Sequence, residues 1–177
     1  MVLETARLRL RPWRESDLAP FAALNADPVV MEHFPAVQSR EESDAFARRA
    51  MALVEERGWG HWAIEVVGGA PFIGFAGLSV KTFESPFTPC TEVGWRLARE
   101  AWGHGYATEA ARAAVDFGFR ELGLAEIVSY TTLGNARSIA VMERLGMRRD
   151  IEFDHPLLPP ASPVLRHVLY RLHSPGR

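Results

Sequence analysis

The sequence predicts an α/β (α+β) protein in which helices cover a mixed central sheet of about seven strands. Short segments with a period of two predict the strands, and longer segments with a helical period predict about four helices. Their order is β-α-α-β-β-β-α-β-α-β-β, so a helix-linked strand pair stands beside antiparallel strands, which is typical of a mixed sheet. The 177 residues favour a single domain over residues 1–177, because domains typically comprise about 150 residues.

The first strand and helix are predicted from the residues before and after Pro12. Residues 7–11 alternate between basic and apolar side chains, which predicts a half-buried strand that ends at the proline. Ser16 and Asp17 are suitable N-cap residues for a short helix. The apolar positions of this helix are Leu18, Phe21 and Leu24.

The second helix has a more complete set of boundary signals. Ser39 and Glu42 form a capping box at its start, and Gly58 ends it. The spacing of its apolar residues predicts a stripe that faces the core. This stripe comprises Phe46, Ala50, Leu53 and Val54.

The remaining elements follow from turn residues and periodicity. Gly68-Gly69 indicates a hairpin, and residues 83–89, with two prolines, form a loop. A proline-rich segment over residues 156–163 is an exposed connection or a substrate loop. The predicted strands cover residues 61–67, 72–80, 92–97, 126–132, 147–154 and 165–172, and the predicted helices cover residues 107–122 and 135–145.

Composition and charge narrow the class of protein. Hydrophobic residues make up 47% and charged residues 24% of the chain, as in an ordinary globular protein. Twenty basic and 22 acidic residues give a formal charge of −2, whereas a nucleic-acid-binding protein is usually basic. No apolar run approaches the ~20 residues of a membrane span. We therefore expect a soluble protein, a monomer or a homodimer, without nucleic-acid or membrane partners.

Cysteine and histidine usage predicts the compartment and argues against a metal. The single cysteine, Cys90, cannot form an internal disulfide and excludes a cysteine-rich zinc site. The six histidines lack H-x-x-x-H spacing. We expect a reducing, cytoplasmic environment and no bound metal.

A glycine-containing turn precedes the helix over residues 107–122. Its sequence is Trp102-Gly103-His104-Gly105-Tyr106-Ala107-Thr108. Glycines permit a tight turn, and the unpaired amides of the first helical turn, together with the helix dipole, form an anion site suited to a pyrophosphate. A helix entry without a ligand is the alternative interpretation. The P-loop pattern is absent, and Thr108 stands where the dinucleotide fingerprint requires glycine.

Two helices offer further local features. Ala107, Ala110, Ala111 and Ala114 form a face of small residues that allows close packing on the sheet. Asn135 is a natural N-cap for the helix over residues 135–145. Because it follows a strand end, where α/β sheets place ligands, its amide can also contact an amide-bearing ligand.

Four segments together match one family. They are T-A-R-L-R-L-R-P-W over residues 5–13, E-V-G-W over 92–95, W-G-H-G-Y-A-T-E-A over 102–110, and N-A-R-S over 135–138 with M-E-R-L-G-M over 142–147. They resemble the GNAT acyl-CoA N-acyltransferase superfamily, in particular its RimJ/RimL-like branch of ribosomal-protein N-terminal acetyltransferases. The resemblance covers nearly the whole chain, and the last two motifs in tandem are highly specific.

The resemblance implies a single GNAT domain whose sheet is splayed at its centre, with acetyl-CoA in the V-shaped gap. It implies that Asn135 holds the pantetheine arm and that Ser138 lies near the thioester sulfur. The other cofactor contacts that it implies are made by backbone amides. They are those of Trp95, Arg96 and Leu97 for pantetheine, and those of Gly103, His104, Gly105, Tyr106, Ala107 and Thr108 for the pyrophosphate.

The sequence departs from the family pattern at two acid/base positions. Many members have a tyrosine seven residues after the helix-cap asparagine as a general acid, but here that residue is Met142. Ser138 is the nearest replacement. Some members have a glutamate at the position of Tyr130, which is a poor base at neutral pH.

Acetyl transfer to an amine requires removal of a proton, polarisation of the thioester carbonyl, and stabilisation of the leaving thiolate. We assign Glu92 as the base, directly or through water, because its strand runs toward the predicted gap. A purely structural carboxylate is the alternative, and His61 is the second candidate base. A backbone amide near Leu97 could polarise the carbonyl, and Ser138 could act on the thiolate.

The sequence thus predicts an acetyl-CoA-dependent N-acetyltransferase that acetylates a primary amine, such as a protein N-terminus. Direct transfer in a ternary complex is favoured, because nothing pairs Cys90 with a histidine for a covalent route. The alternative is a catalytically weak acyl-CoA-binding sensor or regulatory module, because Met142 and Tyr130 stand at two usual acid/base positions. The acceptor itself stays open among ribosomal-protein N-termini, free amino acids, polyamines and aminoglycosides, since a fold does not determine a substrate.

Overall fold

A computed structural model describes residues 1–176. It shows the expected mixed α/β architecture, with one open sheet and helices on both faces. The strands are β1 (Leu3–Glu4), β2 (Leu8–Arg11), β3 (His61–Val66), β4 (Gly74–Lys81), β5 (Cys90–Leu97), β6 (Glu126–Thr132), β7 (Arg148–Asp154) and β8 (Arg166–His173). The helices are α1 (Leu18–Ala26), α2 (Arg40–Arg57), α3 (Tyr106–Arg120) and α4 (Ala136–Arg144).

The sheet contains eight strands rather than about seven. Its order is β1-β2-β3-β4-β5-β6-β8-β7. The additional strand, β1, has two residues and pairs with β2 through Leu3 opposite Leu10. Two residues are too few to produce an alternation pattern, so the sequence did not predict this strand.

The predicted splay lies between β5 and β6, the parallel pair of the sheet. These strands share one register pair, Glu92 opposite Val128, whereas β4 and β5 pair over their whole length. Both strands continue beyond this point, to Leu97 and Thr132, without further pairing with each other. A gap therefore opens at the centre of the sheet and widens toward the carboxyl ends of both strands.

Helix α3 packs closely on one face of the sheet, as its small residues predict. Ala110, Ala111 and Ala114 are fully buried, and the helix lies against β4 and β5. Helices α1 and α2 cover the opposite face, where an aromatic cluster around Trp13, Phe21 and Phe75 forms a second core. The gap between β5 and β6 therefore opens to two faces of the sheet, one covered by α3 and the other by α1 and α2.

The boundaries of α2 agree with the sequence signals, but one stripe residue does not. Ser39 Oγ accepts a hydrogen bond from the Glu42 amide, the Glu42 carboxylate accepts one from the Ser39 amide, and Gly58 ends the helix in the left-handed conformation. Leu53 was expected in the core, but it is 37% exposed. The buried stripe follows Ser43, Ala47, Ala50 and Val54, and Leu53 lies beside it.

Asp17 is the N-cap residue of α1, as predicted, but its side chain does not cap this helix. Its side chain makes no cap hydrogen bond to α1, because the carboxylate binds the Arg11 guanidinium through two hydrogen bonds of 2.7 and 3.0 Å and also accepts the Arg14 amide. Arg11 and Asp17 are both buried. This ion pair connects the start of α1 to β2.

Within the described part of the chain, no helix is long and apolar enough to cross a membrane.

Candidate active site

One large cavity, of roughly 1650 Å³, follows the gap between β5 and β6 and reaches both faces of the sheet. Small-molecule sites usually occupy about 300–1,000 Å³, so this cavity has room for two ligands. With the exception of His104, every residue that the sequence placed in the site lines it. Those residues are Glu92, Trp95, Arg96, Leu97, Gly103, Gly105, Tyr106, Ala107, Thr108, Asn135 and Ser138.

The glycine turn has the geometry that its sequence predicts. Gly103 and Gly105 have φ values of 78° and 80°, in the left-handed region that favours glycine. Gly105 is the N-cap of α3, and the first amide with an i−4 backbone acceptor in the helix is that of Glu109. The amides of residues 106–108 precede it and belong to the open end of the helix, where the dipole favours an anion. The exposed ring of His104 stacks on Tyr106 and lies outside the cavity lining.

An unexpected clamp holds this turn against the N-terminal segment. The Glu109 carboxylate accepts hydrogen bonds from Thr5 Oγ1 at 2.7 Å, from the Arg7 amide at 2.9 Å and from Arg7 Nε at 2.8 Å. Arg7 also donates to the His104 carbonyl at 3.0 Å and lies over the Tyr106 ring. Although burial raises the pKa of Glu109, the hydrogen bonds from Thr5 and Arg7 outweigh it and leave that pKa below its ordinary value. The clamp also places a cation beside the turn.

The three predicted pantetheine-binding residues of β5 point to two different faces. Val93 and Leu97 are buried on the α3 side, and Trp95 packs against the same core. Arg96 lies opposite, among aromatic residues on the α1–α2 side. Successive strand residues alternate between faces, so the backbone of β5 borders the gap while its side chains serve two separate compartments.

The Asn135 side chain has two partners in the protein. Its Oδ1 atom accepts a hydrogen bond from the Ser138 amide at 3.2 Å, which is the predicted N-cap interaction, and its Nδ2 atom donates to Thr131 Oγ1 at 2.8 Å. An amide group can form four hydrogen bonds. One N–H and one lone pair are left over for a ligand in the cavity.

We expect Asn135→Ala to weaken acetyl-CoA binding by more than it lowers stability. Loss of the cap alone costs about 1 kcal/mol of stability, and the sequence prediction adds a lost contact to pantetheine. Calorimetric titration with acetyl-CoA and thermal unfolding separate the two effects. Ser39→Ala is the matched control, because Ser39 caps α2 in the same way but does not line the cavity. A lower melting temperature with an unchanged Kd would leave Asn135 with a capping role only.

Glu92 lies where the pairing of β5 with β6 ends. Its carboxylate contacts Lys81 Nζ at 3.0 Å and accepts a hydrogen bond from Ser79 Oγ at 3.2 Å. Burial raises the pKa of Glu92, and this effect exceeds the lowering by Lys81 and Ser79. A carboxylate with a raised pKa is a better proton acceptor than an ordinary one, because a general base works best near the operating pH.

His61 is less suited to proton transfer than the sequence alone could indicate. Its ring stacks on Phe46 with a centroid distance of 5.7 Å. Burial, together with the charges of Lys81 and Arg96, lowers the pKa of His61 to about 3. The imidazole is therefore neutral at physiological pH and is a weak base.

The structure also places the residues at the other acid/base positions. Met142 is fully buried in the core, and its thioether has no proton to donate. Burial raises the pKa of Tyr130 far above its ordinary value, and its hydroxyl stays protonated. Burial likewise raises the pKa of Cys90 to about 11, so its thiol is a weak nucleophile at neutral pH. Among residues 1–176, no group of three potential ligand side chains is arranged to hold a metal ion.

An open sheet parted between two parallel strands, with a glycine turn and helix beside the gap, defines a class of acyltransferases. Residues 7–148 match the acetyltransferase (GNAT) domain, and the chain belongs to this family. The predicted superfamily is thereby confirmed. The protein is an N-acetyltransferase of a family that uses acetyl-CoA.

Three known proteins illustrate the similarity. The FsC-acetyl coenzyme A-N(2)-transacetylase of Aspergillus fumigatus is 35% identical over 152 residues, which cover 82% of this chain and 64% of that enzyme. A GNAT-family acetyltransferase from Bacillus anthracis is 25% identical with a TM-score of 0.82, over 98% of this chain and 99% of that one. RimL, the ribosomal L7/L12 alpha-N-protein acetyltransferase solved with coenzyme A, has a TM-score of 0.75 at 18% identity, over 98% of each chain. At this identity the similarity shows a shared fold, and the RimJ/RimL-like branch stays a prediction.

Proposed function

We propose that this protein transfers the acetyl group of acetyl-CoA directly to a primary amine, with both molecules bound at once. The observation that carries the proposal is the single cavity that passes through the gap in the sheet. The glycine turn lies on its α3 side, and Glu92 lies at the point where β5 and β6 part. Donor and acceptor can therefore approach the same point from opposite faces.

The residues on the α3 side fit a coenzyme A molecule. The open amides of residues 106–108 suit a pyrophosphate, and two cationic side chains that line the cavity, Arg7 and Arg137, lie over rings of this turn. Arg137 lies over the Trp102 ring at 4.3 Å. The β5 edge, Asn135 and Ser138 line the path from this turn toward Glu92. The thioester supplies an activated acetyl group, and the protein supplies the positioning.

On the acceptor side, Glu92 is proposed to remove the amine proton, directly or through a water molecule. Its raised pKa suits this role, whereas the lowered pKa of His61 makes that residue the poorer base. A backbone amide near Leu97 is proposed to polarise the carbonyl. The protonated thiol of Cys90 favours direct transfer over an acetyl-cysteine intermediate. The acceptors within this proposal are small primary amines and protein N-termini.

An acetyl-transfer screen tests the proposal. Purified protein is incubated with acetyl-CoA and a set of peptides and small amines, and products are detected by mass spectrometry. Formation of an acetylated amine with release of one coenzyme A per product is expected. Tight binding of acetyl-CoA without any acetylated product would instead favour a regulatory module that binds acyl-CoA.

Ser138 is proposed to act near the leaving thiolate, and we expect Ser138→Ala to have a modest effect. A thiol has a pKa of about 8.5, so its thiolate is already a tolerable leaving group. Loss of one neutral hydrogen bond should slow turnover by about three- to tenfold, and the acidic limb of the pH–rate profile should remain. A larger loss than that of Glu92→Gln would reverse the order of importance assigned to these two residues.

A further inference from the structure

Arg96 carries a charge that the acetyl-transfer chemistry does not use. Its guanidinium lies on the α1–α2 side of β5, with its central carbon 4.1 Å from the centroid of the Phe34 ring and 5.7–5.8 Å from those of Phe75 and Phe46. Nη1 donates a hydrogen bond to Asn25 Oδ1 at 2.7 Å. The residue is partly exposed and lines the cavity.

This guanidinium has no acidic partner among residues 1–176. No carboxylate lies within ion-pair distance of it, and Asn25, its hydrogen-bond partner, is neutral. Its Nε atom is buried and has no hydrogen-bond partner. Burial lowers the pKa of Arg96 to about 10, which leaves it charged at neutral pH. Although part of Arg96 is exposed to the cavity, its buried portion makes an unpaired charge costly, and such groups usually have an anionic partner.

The neighbouring groups do not neutralise this charge. Lys81 and Glu92 are paired with each other at 3.0 Å. His61, which lies on the same side of the sheet, is neutral. This compartment therefore has an excess of one positive charge, held between aromatic rings.

The cofactor is an unsuitable partner for Arg96. The glycine turn and α3 lie on the side of β5 to which Val93 and Leu97 point, and Arg96 points to the opposite side. A pyrophosphate at the α3 N-terminus is thus separated from Arg96 by the strand itself. The missing anion belongs on the acceptor side.

We infer that the acceptor is a small primary amine that also carries a carboxylate, and that Arg96 binds this carboxylate. The inference rests on the proposed function and adds the class of substrate to it. Guanidinium groups pair with carboxylates through parallel hydrogen bonds, and the rings of Phe34, Phe46 and Phe75 form an apolar surround that strengthens such a pair. The neutral ring of His61 can accept a hydrogen bond from the same molecule.

The distance along β5 restricts the acceptor further. Glu92 and Arg96 are four residues apart on one face, so their Cα atoms are about 13 Å apart. Because the two side chains leave the strand at well-separated positions, we expect the amine and the carboxylate of the acceptor to be separated by several bonds. An ω-amino acid satisfies this requirement better than an α-amino acid, in which the two groups share one carbon.

The test compares matched acceptors that differ in charge. The probes are 6-aminohexanoate, its carboxamide and hexylamine, each assayed for acetyl transfer from acetyl-CoA with the full chain. We expect wild-type kcat/KM for 6-aminohexanoate to exceed that for the carboxamide by about 30-fold, as for a hydrogen bond to a charged group. Equal rates for the acid and the carboxamide would overturn the inference.

Variants of Arg96 connect this preference with one side chain. Arg96→Gln should reduce the preference to less than about threefold, chiefly through a higher KM for the acid, with an unchanged Kd for acetyl-CoA. Arg96→Lys should restore part of it, and Arg57→Gln, a change at an exposed position of α2 outside the cavity lining, should leave it intact. Circular dichroism confirms folding. A preference that survives Arg96→Gln would assign the carboxylate to another site.

A binding measurement separates this inference from the proposed function. Acetylation of hexylamine and the carboxamide as readily as the acid would support amine acetylation but contradict the role of Arg96. If none of the probes is acetylated, the proposed function fails for these amines. Calorimetry with N-acetyl-6-aminohexanoate and its carboxamide, in the presence of coenzyme A, then decides the inference by itself. Tighter binding of the acid that depends on Arg96 supports it, and equal binding overturns it.

Discussion

Replacing Glu92 by glutamine should lower turnover by about 10²-fold or more while acetyl-CoA affinity stays nearly constant. General-base catalysis typically contributes a factor of this size. The carboxamide has nearly the same shape and keeps an oxygen that can accept the hydrogen bond of Ser79, so packing in the gap should be preserved. Steady-state kinetics and calorimetry on the same preparations measure the two quantities.

The pH dependence provides a second measurement of the same role. A base must be deprotonated to act, so the rate should rise with pH through the pKa of Glu92. Because burial raises that pKa, the acidic limb should lie above pH 4.5, the ordinary value for glutamate. Glu92→Gln should abolish the limb, and Glu55→Gln, on the exposed side of α2, should retain it. A Glu92→Gln enzyme with wild-type turnover would show that Glu92 has a structural role, as the alternative interpretation holds.

The second large effect is expected at the glycine turn. Gly105→Val should weaken acetyl-CoA binding at least tenfold, or about 1.4 kcal/mol. Gly105 has a φ of 80°, and a left-handed backbone costs a residue with a side chain roughly 1–2 kcal/mol. A Cβ there would lie 3.5 Å from Arg7 Nη2, which is an ordinary contact, so the strain comes from the backbone conformation. The turn would have to shift, and the amides of residues 106–108 would lose their alignment.

A second glycine isolates the contribution of the ligand site. Gly123 has a φ of 64°, a Cβ there would meet nothing within 4 Å, and the residue does not line the cavity. Gly123→Val should therefore lower the melting temperature through the same backbone strain without changing the Kd for acetyl-CoA. A folded Gly105→Val protein with unchanged affinity for acetyl-CoA would show that the pyrophosphate does not bind at this turn.

Local signals allowed much of the fold to be predicted. The β-branched run over residues 126–132 became β6 without a shift in its bounds, and Ser39, Glu42 and Gly58 delimit α2 as expected. These signals depend on neighbours within a few residues. Helix capping and the alternation of apolar residues depend on interactions between residues close in sequence, so both can be recognised in a single sequence.

Long-range partners could not be predicted in this way. Asp17 was assigned to a cap because that is its local option, but the buried Arg11 guanidinium offers two charged hydrogen bonds. Glu109 binds Thr5 and Arg7, more than 100 positions earlier. Insertion of β8 between β6 and β7 likewise depends on the whole sheet.

The candidate site shows the same division. The motif residues were correctly expected at the cavity, because the family resemblance indicates where strand, turn and helix meet. Their roles in binding and catalysis stay predictions. The surroundings of Arg96 could not be predicted from the sequence, because its contacts Asn25 and Phe34 are more than 60 positions earlier in the chain and approach it from the α1–α2 side.

Two-substrate initial-velocity kinetics test the central claim, that one cavity brings acetyl-CoA and an amine together for direct transfer. Acetyl-amine formation is measured while both concentrations are varied, and protein incubated with labelled acetyl-CoA alone is analysed by mass spectrometry. We expect intersecting double-reciprocal lines and no acetyl group on the protein. Parallel lines together with a labelled acetyl group on Cys90 would contradict the claim and establish a covalent route.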